Sequence, residues 1–274
     1  MNRKRGFAVV SPLLGALVEG FKRGKLVCMA MSIMMQGENV ALETRKLKVF
    51  ATKLGADLVG IADLRLYSDA YGFSKPLLEK FPLAVSMAVR LSDPIIDGIT
   101  EEDPTQIYAH HYRTVNALLD DIAIRVGNYC QAKGYGALPI PAAQVADEGR
   151  LLGAISHKAI AVLAGLGWQG KSLLVINERF GPRIRLVSVL TTFPLAPDKS
   201  LESRCGNCVA CVDACPVAAI KGTSPQEGAL SREEAVNVQA CNQRLLSIAS
   251  NPRYGSRVCG LCIKVCPWGR KAEL

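Results

Sequence analysis

Eight cysteines carry the strongest chemical signal in this 274-residue chain. Cys205, Cys208, Cys211 and Cys215, followed by Pro216, have the spacing C-x2-C-x2-C-x3-C-P. Three thiolates so spaced can wrap one iron–sulfur cube in a tight turn, while the fourth, at the start of the next helical segment, points away to a second cube. A matching set is present as Cys241 and then Cys259, Cys262 and Cys266 before Pro267, its first member displaced upstream. The spacing assigns Cys205, Cys208, Cys211 and Cys266 to one 4Fe-4S cluster and Cys215, Cys241, Cys259 and Cys262 to another. Structural zinc favours two C-x2-C knuckles per metal, which is a different pattern from two interlocked quartets. A disulfide scaffold belongs to short secreted chains, whereas here only Cys28 and Cys130 precede Cys205. Cys130, beside Tyr129, reads as a small buried hydrophobe. Two adjacent clusters make a short electron wire, which implies a redox function.

A second motif must be weighed against its context. Gly165-Leu166-Gly167-Trp168-Gln169-Gly170-Lys171-Ser172 satisfies the phosphate-loop pattern G-x4-G-K-S. A phosphate loop works where a strand feeds it and a helix starts at its Lys. The order here is reversed: 156–166 has a helical pattern and 172–176 a strand pattern. A nucleotide site is therefore not expected. The turn reads either as a close backbone approach to a flat ligand, with Lys171 nearby, or as a helix-to-strand turn held by a core Trp168.

The elements that must position these motifs alternate between helical and strand patterns from residue 40, the signature of an α/β domain. Helices are expected over 41–54 and 156–166, and strands over 58–62, 84–91, 135–140, 172–176 and 184–192. The longest signal follows Pro104: Tyr108, Tyr112, Val115, Leu119, Ile122, Val126 and Tyr129 form one apolar stripe, stopped by Gly134. The chain changes character at a Pro-bearing, charged linker over 194–203. The expected organisation is an N-terminal extension or upstream start over 1–35, an α/β domain over 36–196 and a small ferredoxin-like domain over 197–274.

With 49% hydrophobic residues the chain can bury a sizeable core, and no apolar run reaches the roughly 18–20 residues a spanning helix needs. No membrane is expected as a partner. The net charge of +9 is uneven: residues 1–35 hold six of the 33 bases and one of the 24 acids. Two clusters, each with its thiolates carrying about −2, would bring the remainder close to neutral. Charge therefore selects no partner. A local excess remains over 150–204, where Arg150, Lys158, Lys171, Arg179, Arg183, Arg185, Lys199 and Arg204 face Glu178, Asp198 and Glu202. These bases read as solvated surface, as internal balance for anionic cofactors, or as a face for an acidic partner.

Taken together, Gly165-Leu-Gly-Trp-Gln-Gly-Lys171, the stretch Thr191-Thr-Phe-Pro-Leu195 and the two cysteine runs ending at Pro216 and Pro267-Trp268 resemble the epoxyqueuosine reductases, iron–sulfur, cobalamin-dependent enzymes related to the catalytic part of reductive dehalogenases. The resemblance is specific over 156–269. It implies an α/β (α+β) fold, a nitroreductase-like corrinoid-binding core followed by a ferredoxin-like double-cluster domain. It also implies cobalamin beside the turn of Gly165, Gly167, Trp168, Gly170 and Lys171. A low-potential ferredoxin- or flavodoxin-type donor would feed electrons through the clusters to cobalt, in the cytoplasm, for a small-molecule or tRNA substrate. The position that aligns with the family's general-acid Asp is Leu151. The candidates for a proton donor are then His111, Tyr112, Asp147 and His157. The competing expectation is a two-cluster electron carrier whose α/β domain binds a partner and performs no substrate chemistry.

Overall fold

Two long apolar runs set the architecture of the protein, here described from a computed structural model over residues 36–67, 75–224, 226 and 231–269. The N-terminal segment 1–35, with Cys28, lies outside the described residues. Strands β2 (Leu83–Arg90) and β6 (Ile184–Thr191) pair along their whole length, Leu83 opposite Thr191 and Arg90 opposite Ile184. Strand β1 (Leu58–Asp63) flanks β2 and β3 (Ala137–Ile140) flanks β6, giving the order β1-β2-β6-β3 with every pair antiparallel. The sheet is thus of the α+β kind, although helices and strands alternate along the chain.

Helices cover both faces, which is why the central strands are apolar at successive positions. On one face, helix α1 (36–53) and helix α4 (Gln106–Ala132) bury Leu47, Leu119, Ile122 and Val126 against Val85, Met87 and Val187. On the other, helix α5 (His157–Leu163) sets Ala159 and Ile160 against Ala84, Ala88, Leu186 and Leu190. The α4 stripe falls as its periodicity predicts. Its start is fixed by Thr105, whose hydroxyl accepts from Tyr108 N at 3.1 Å, and its end by Gly134 at φ +86°. Two shorter helices, α2 (Lys75–Lys80) and α3 (Asp93–Asp97), flank β2 in sequence.

Between α5 and β6 the chain makes a small hairpin, β4 (Trp168–Gln169) with β5 (Val175–Ile176). The strand expected over 172–176 is shorter because Leu173 takes φ +59° and its N–H closes a turn onto Gly170 O at 2.9 Å. No helix starts at Lys171.

Among the described residues after the linker come helices α6 (Ala210–Asp213), α7 (Arg232–Ala235), α8 (Val238–Ser250) and α9 (Leu261–Lys264). Helices α6 and α9, each holding a central cysteine, pack together. Their small core is Leu173, Ala219, Ile220, Ala235 and Val236, with Cys211, Cys215, Cys241 and Cys262 against it. Leu173 joins this core although it precedes the linker. Tyr254, Val258, Leu261 and Ile263 enter the large core beside α4 instead. Arg113 of α4 locks that junction, donating to Tyr254 O at 2.9 Å and Ser256 Oγ at 2.6 Å.

Candidate metal centres and cofactor cavity

Four of the thiols, Cys211, Cys241, Cys262 and Cys266, sit within the electrostatic reach of other cysteines. Cys211 and Cys266 both feel Cys205 and Cys208, while Cys241 feels Cys215 and Cys259. Cys262 feels Cys259, Cys241 and Cys215, and also Cys211 across the α6–α9 contact. Burial first, then these neighbours, push Cys211 and Cys266 up to about 11 and raise Cys241 and Cys262 as well. Metal-free, these four are neutral thiols at pH 7, so iron binding must displace protons. Cys208 is exposed and the other seven are partly buried.

Donors already face several of the sulfurs. Ala219 N points to Cys215 Sγ at 3.3 Å and Arg244 Nε to Cys259 Sγ at 3.4 Å. The backbone N–H of Trp268 serves Cys266. Among the described residues no group of three or more His, Cys, Asp or Glu is gathered closely enough for a single metal ion. Soft thiolates in two neighbourhoods of four, with N–H groups aimed at sulfur, are the donor chemistry that four-iron clusters require.

The Gly-rich turn lies between these centres and a large cavity. A Cβ on Gly165 would lie 2.5 Å from Lys199 O, and one on Gly167 would lie 2.2 Å from Ile176 O. Both glycines therefore serve close approach of the chain to itself rather than to a flat ligand. Trp168 is fully buried and meets Trp268 edge-on, ring centroids 4.8 Å apart. Gly170 lies against the Cys205 thiol, and Lys171 Nζ donates to Gly206 O at 2.5 Å and Cys208 O at 3.2 Å. Of this turn, Gln169 lines the large cavity, whereas Gly170 and Lys171 line the cleft of Cys205, Cys208, Cys211, Cys262 and Cys266.

The large cavity, about 830 Å³, opens between the α5 face of the sheet and the cysteine-bearing helices. Its bases are Arg150, Lys158, Arg185 and Arg232, its one acid among the described residues is Glu233, and Gln144, Gln169 and Gln239 add amides. Glu233 is engaged by Arg232 at 2.7 Å. Arg185 stacks on the Tyr112 ring and donates to Tyr112 Oη at 3.2 Å and Asn116 Oδ1 at 3.0 Å. Arg232 reaches across to the carbonyls of Leu151 and Arg150, at 3.2 and 2.9 Å, and so pins the cavity rim. Leu151, on that rim, takes φ +55°.

Of the four proton-donor candidates, the structure brings only His157 to this cavity. Its Nε2 donates to Pro141 O and its Nδ1 accepts from Ser188 Oγ, both at 3.0 Å. Burial, aided by Arg185, lowers it to about 4 against the pull of the Pro141 carbonyl, so it is neutral and both nitrogens are occupied. It acts as a brace between α5 and β6. His111 accepts from Ser92 N at 3.2 Å beside α3, and Tyr112 stands behind Arg185. Asp147 closes a turn onto Arg150 N at 2.9 Å. The residue that sequence reading passed over as a donor is Lys158, which lines the cavity with no carboxylate partner among the described residues. Burial, then the charges of Arg232 and Arg185, lower its pKa, opposed by Cys241 and Cys262. A cation at the start of α5, against the helix dipole, was its signal in the sequence.

Comparison with known proteins gives this geometry its context. Residues 204–269 match the 4Fe-4S double cluster binding domain. The epoxyqueuosine reductase of Aliivibrio fischeri is 25% identical over 257 residues, covering 83% of this chain and 67% of the relative. Those of Bacillus cereus and Pseudomonas aeruginosa are 32% and 37% identical over 117 and 123 residues, covering 42% and 43% of this chain and 30% and 33% of theirs. Among solved structures, a catabolic reductive dehalogenase in complex with 3-bromo-4-hydroxybenzoic acid superposes with TM-score 0.66 at 22% identity, covering 85% of this chain and 32% of its own. A selenomethionine-labelled epoxyqueuosine reductase gives 0.55 at 20%, covering 82% and 65%. The matched regions thus span about one to two thirds of those proteins. This chain therefore carries a 4Fe-4S double cluster binding domain on an α+β layer whose fold is shared with epoxyqueuosine reductases and a reductive dehalogenase, and its curated homologues are epoxyqueuosine reductases.

Proposed function

We propose that this chain is an iron–sulfur oxidoreductase that passes electrons through two four-iron clusters to a corrinoid in the large cavity and on to a substrate. In this reading Cys205, Cys208, Cys211 and Cys266 hold the first cluster, and Cys215, Cys241, Cys259 and Cys262 the second. The observation that carries it is contiguity: Ile263, next to Cys262, and Gln239, close before Cys241, line the same cavity as His157 and Lys158. The cavity is of cofactor size. Gln144, Gln169 and Gln239 offer partners for the amides of a corrin rim, and Lys158 and Arg185 offer charge balance for a nucleotide phosphate. The bound group would supply a strongly reducing cobalt centre.

This chain's residues divide the remaining work. His157 fixes α5 against β6 and stays unprotonated. Lys158 holds the proton that a reduced product needs, in place of the carboxylate that Leu151 cannot provide. Electrons enter from a low-potential ferredoxin- or flavodoxin-type donor at the exposed Cys208 side, in a reducing cytoplasm. The substrate is a reducible organic group that the cavity admits, carried by a small molecule or by RNA. An epoxyqueuosine reductase has been solved with a modified tRNA stem loop, which supports the second carrier.

The test is anaerobic. Clusters are reconstituted, cob(II)alamin is added, and the cobalt electron paramagnetic resonance spectrum is recorded with and without protein. A protein-bound, base-off signal is expected. A free-cobalamin spectrum beside intact clusters would overturn the corrinoid reading and leave a two-cluster electron carrier.

A further inference from the structure

Arg244 of α8 sets the two cysteine neighbourhoods apart. Its Nε donates to Cys259 Sγ at 3.4 Å, and its Nη2 donates to the carbonyl of Glu101 at 2.6 Å. The second bond fixes the guanidinium plane, so the first is held by the loop before α4 rather than by a freely turning side chain. The other donors to cluster sulfurs described above are backbone N–H groups, from Ala219 and Trp268. Near the first quartet, the cation Lys171 donates to the carbonyls of Gly206 and Cys208 and acts on Cys211 through its charge, whereas the Arg244 guanidinium donates to a sulfur directly. A permanently charged donor on a ligating sulfur favours the more negative, reduced state of a cluster, and hydrogen bonds to sulfur are among the levers that set cluster potentials.

We propose that Arg244 is a positioning residue that acts through Cys259 to raise the reduction potential of the cluster held by Cys215, Cys241, Cys259 and Cys262 above that of its neighbour. This rests on the two-cluster reading above. An electron delivered by the low-potential donor then settles on the cluster whose ligands flank Gln239 and Ile263, and so beside the cavity. The gradient runs from the exposed Cys208 side inward.

The experiment is a potentiometric titration of the anaerobically reconstituted full chain, followed by the resonance signals of the reduced clusters with iron and sulfide counted. Fewer than two clusters in the unsubstituted protein would overturn the two-cluster reading itself. The C241S variant identifies the signal of the second cluster. In R244Q that cluster is expected to become harder to reduce by at least tenfold in its equilibrium, ~59 mV for one electron, with the other cluster unmoved. R244K, which keeps charge but not the planar fork, is expected to move the same way by less. Unmoved potentials, or equal shifts in both clusters, would overturn the proposal. If R244Q does not retain its iron, R244K decides: a lowered potential supports the role, and an unsubstituted-like potential overturns it.

Discussion

The α+β layer and the cysteine-bearing module are built on different physical principles. The layer buries apolar residues on both faces of β2 and β6, with Leu47, Met87, Leu119, Ile122, Ile160 and Leu190 all fully buried. Among the described residues the module supplies only Ala219, Ile220, Ala235 and Val236 to its small core, which Leu173 completes from before the linker, and helix α8, with thirteen residues, has none buried. Burial of this size cannot offset the chain entropy of ordering residues 204–269. Ligation must supply the difference, since metal binding to a site absent from the unfolded chain contributes directly to folding. One region is held by packing and the other by the clusters it is proposed to bind.

The largest expected effect follows from that contrast. Removing iron with a chelator under reducing conditions should collapse hydrogen-exchange protection over α6 and α8 while the amides of β2 and β6 keep theirs. The second half of the module, where Tyr254, Val258, Leu261 and Ile263 enter the large core, should behave in between. A single cooperative loss across both regions would make the layer as metal-dependent as the module.

A smaller effect is expected at one backbone position where the two regions meet. Gly260, between Cys259 and Cys262, takes φ +82°, and a Cβ there would lie 2.5 Å from Ile99 Cδ1 and 2.9 Å from Tyr108 Cε1. G260A should therefore cost both the left-handed conformation and the fit against α4, by about 2 kcal/mol or more. The expected readout is loss of the second cluster's signal with the first retained and the layer's thermal transition still present. Loss of both clusters together would mean that the quartets assemble as one unit.

The same contrast between the two regions governs how much of each is legible in the amino-acid sequence. Cysteine spacing is local in sequence and few residue types can stand in for a thiolate, so the double-cluster pattern over 204–269 is legible directly. The strands of the layer were legible because burial on both faces leaves continuous apolar runs. Their antiparallel order was not, because alternation along the chain says nothing about direction across a sheet. The arginines were the least legible. Arg183, one of the bases read over 150–204, is 2% exposed and pairs with Asp93 and Asp97 at 3.2 and 2.6 Å, partners remote in sequence. Arg244 and Arg232 likewise look like solvent charges until the fold brings a sulfur or a carbonyl to them. Gly165 and Gly167 misled in the opposite sense: a motif suited to a ligand is explained by the backbones of Lys199 and Ile176.

A weaker effect is expected within the layer, at its partly buried histidine brace. Unfolded, His157 takes a proton near its ordinary value of 6.5, whereas in the fold it does so only at about 4. The neutral brace therefore contributes stability that is fully present above pH 6.5 and is lost as pH falls toward 4, by about 2 kcal/mol between 6.5 and 5. Protonation would force the Nδ1 that accepts from Ser188 to become a donor and would put a charge beside Arg185. H157A should lose about 1–3 kcal/mol at pH 7 with the bonds to Ser188 and Pro141, and should lose less than the unsubstituted protein on going to pH 5. Denaturant unfolding of the iron-free protein, followed by a probe on β6, measures both. An acid limb of equal depth in the variant would assign it to another group and leave the layer's stability a matter of apolar burial alone.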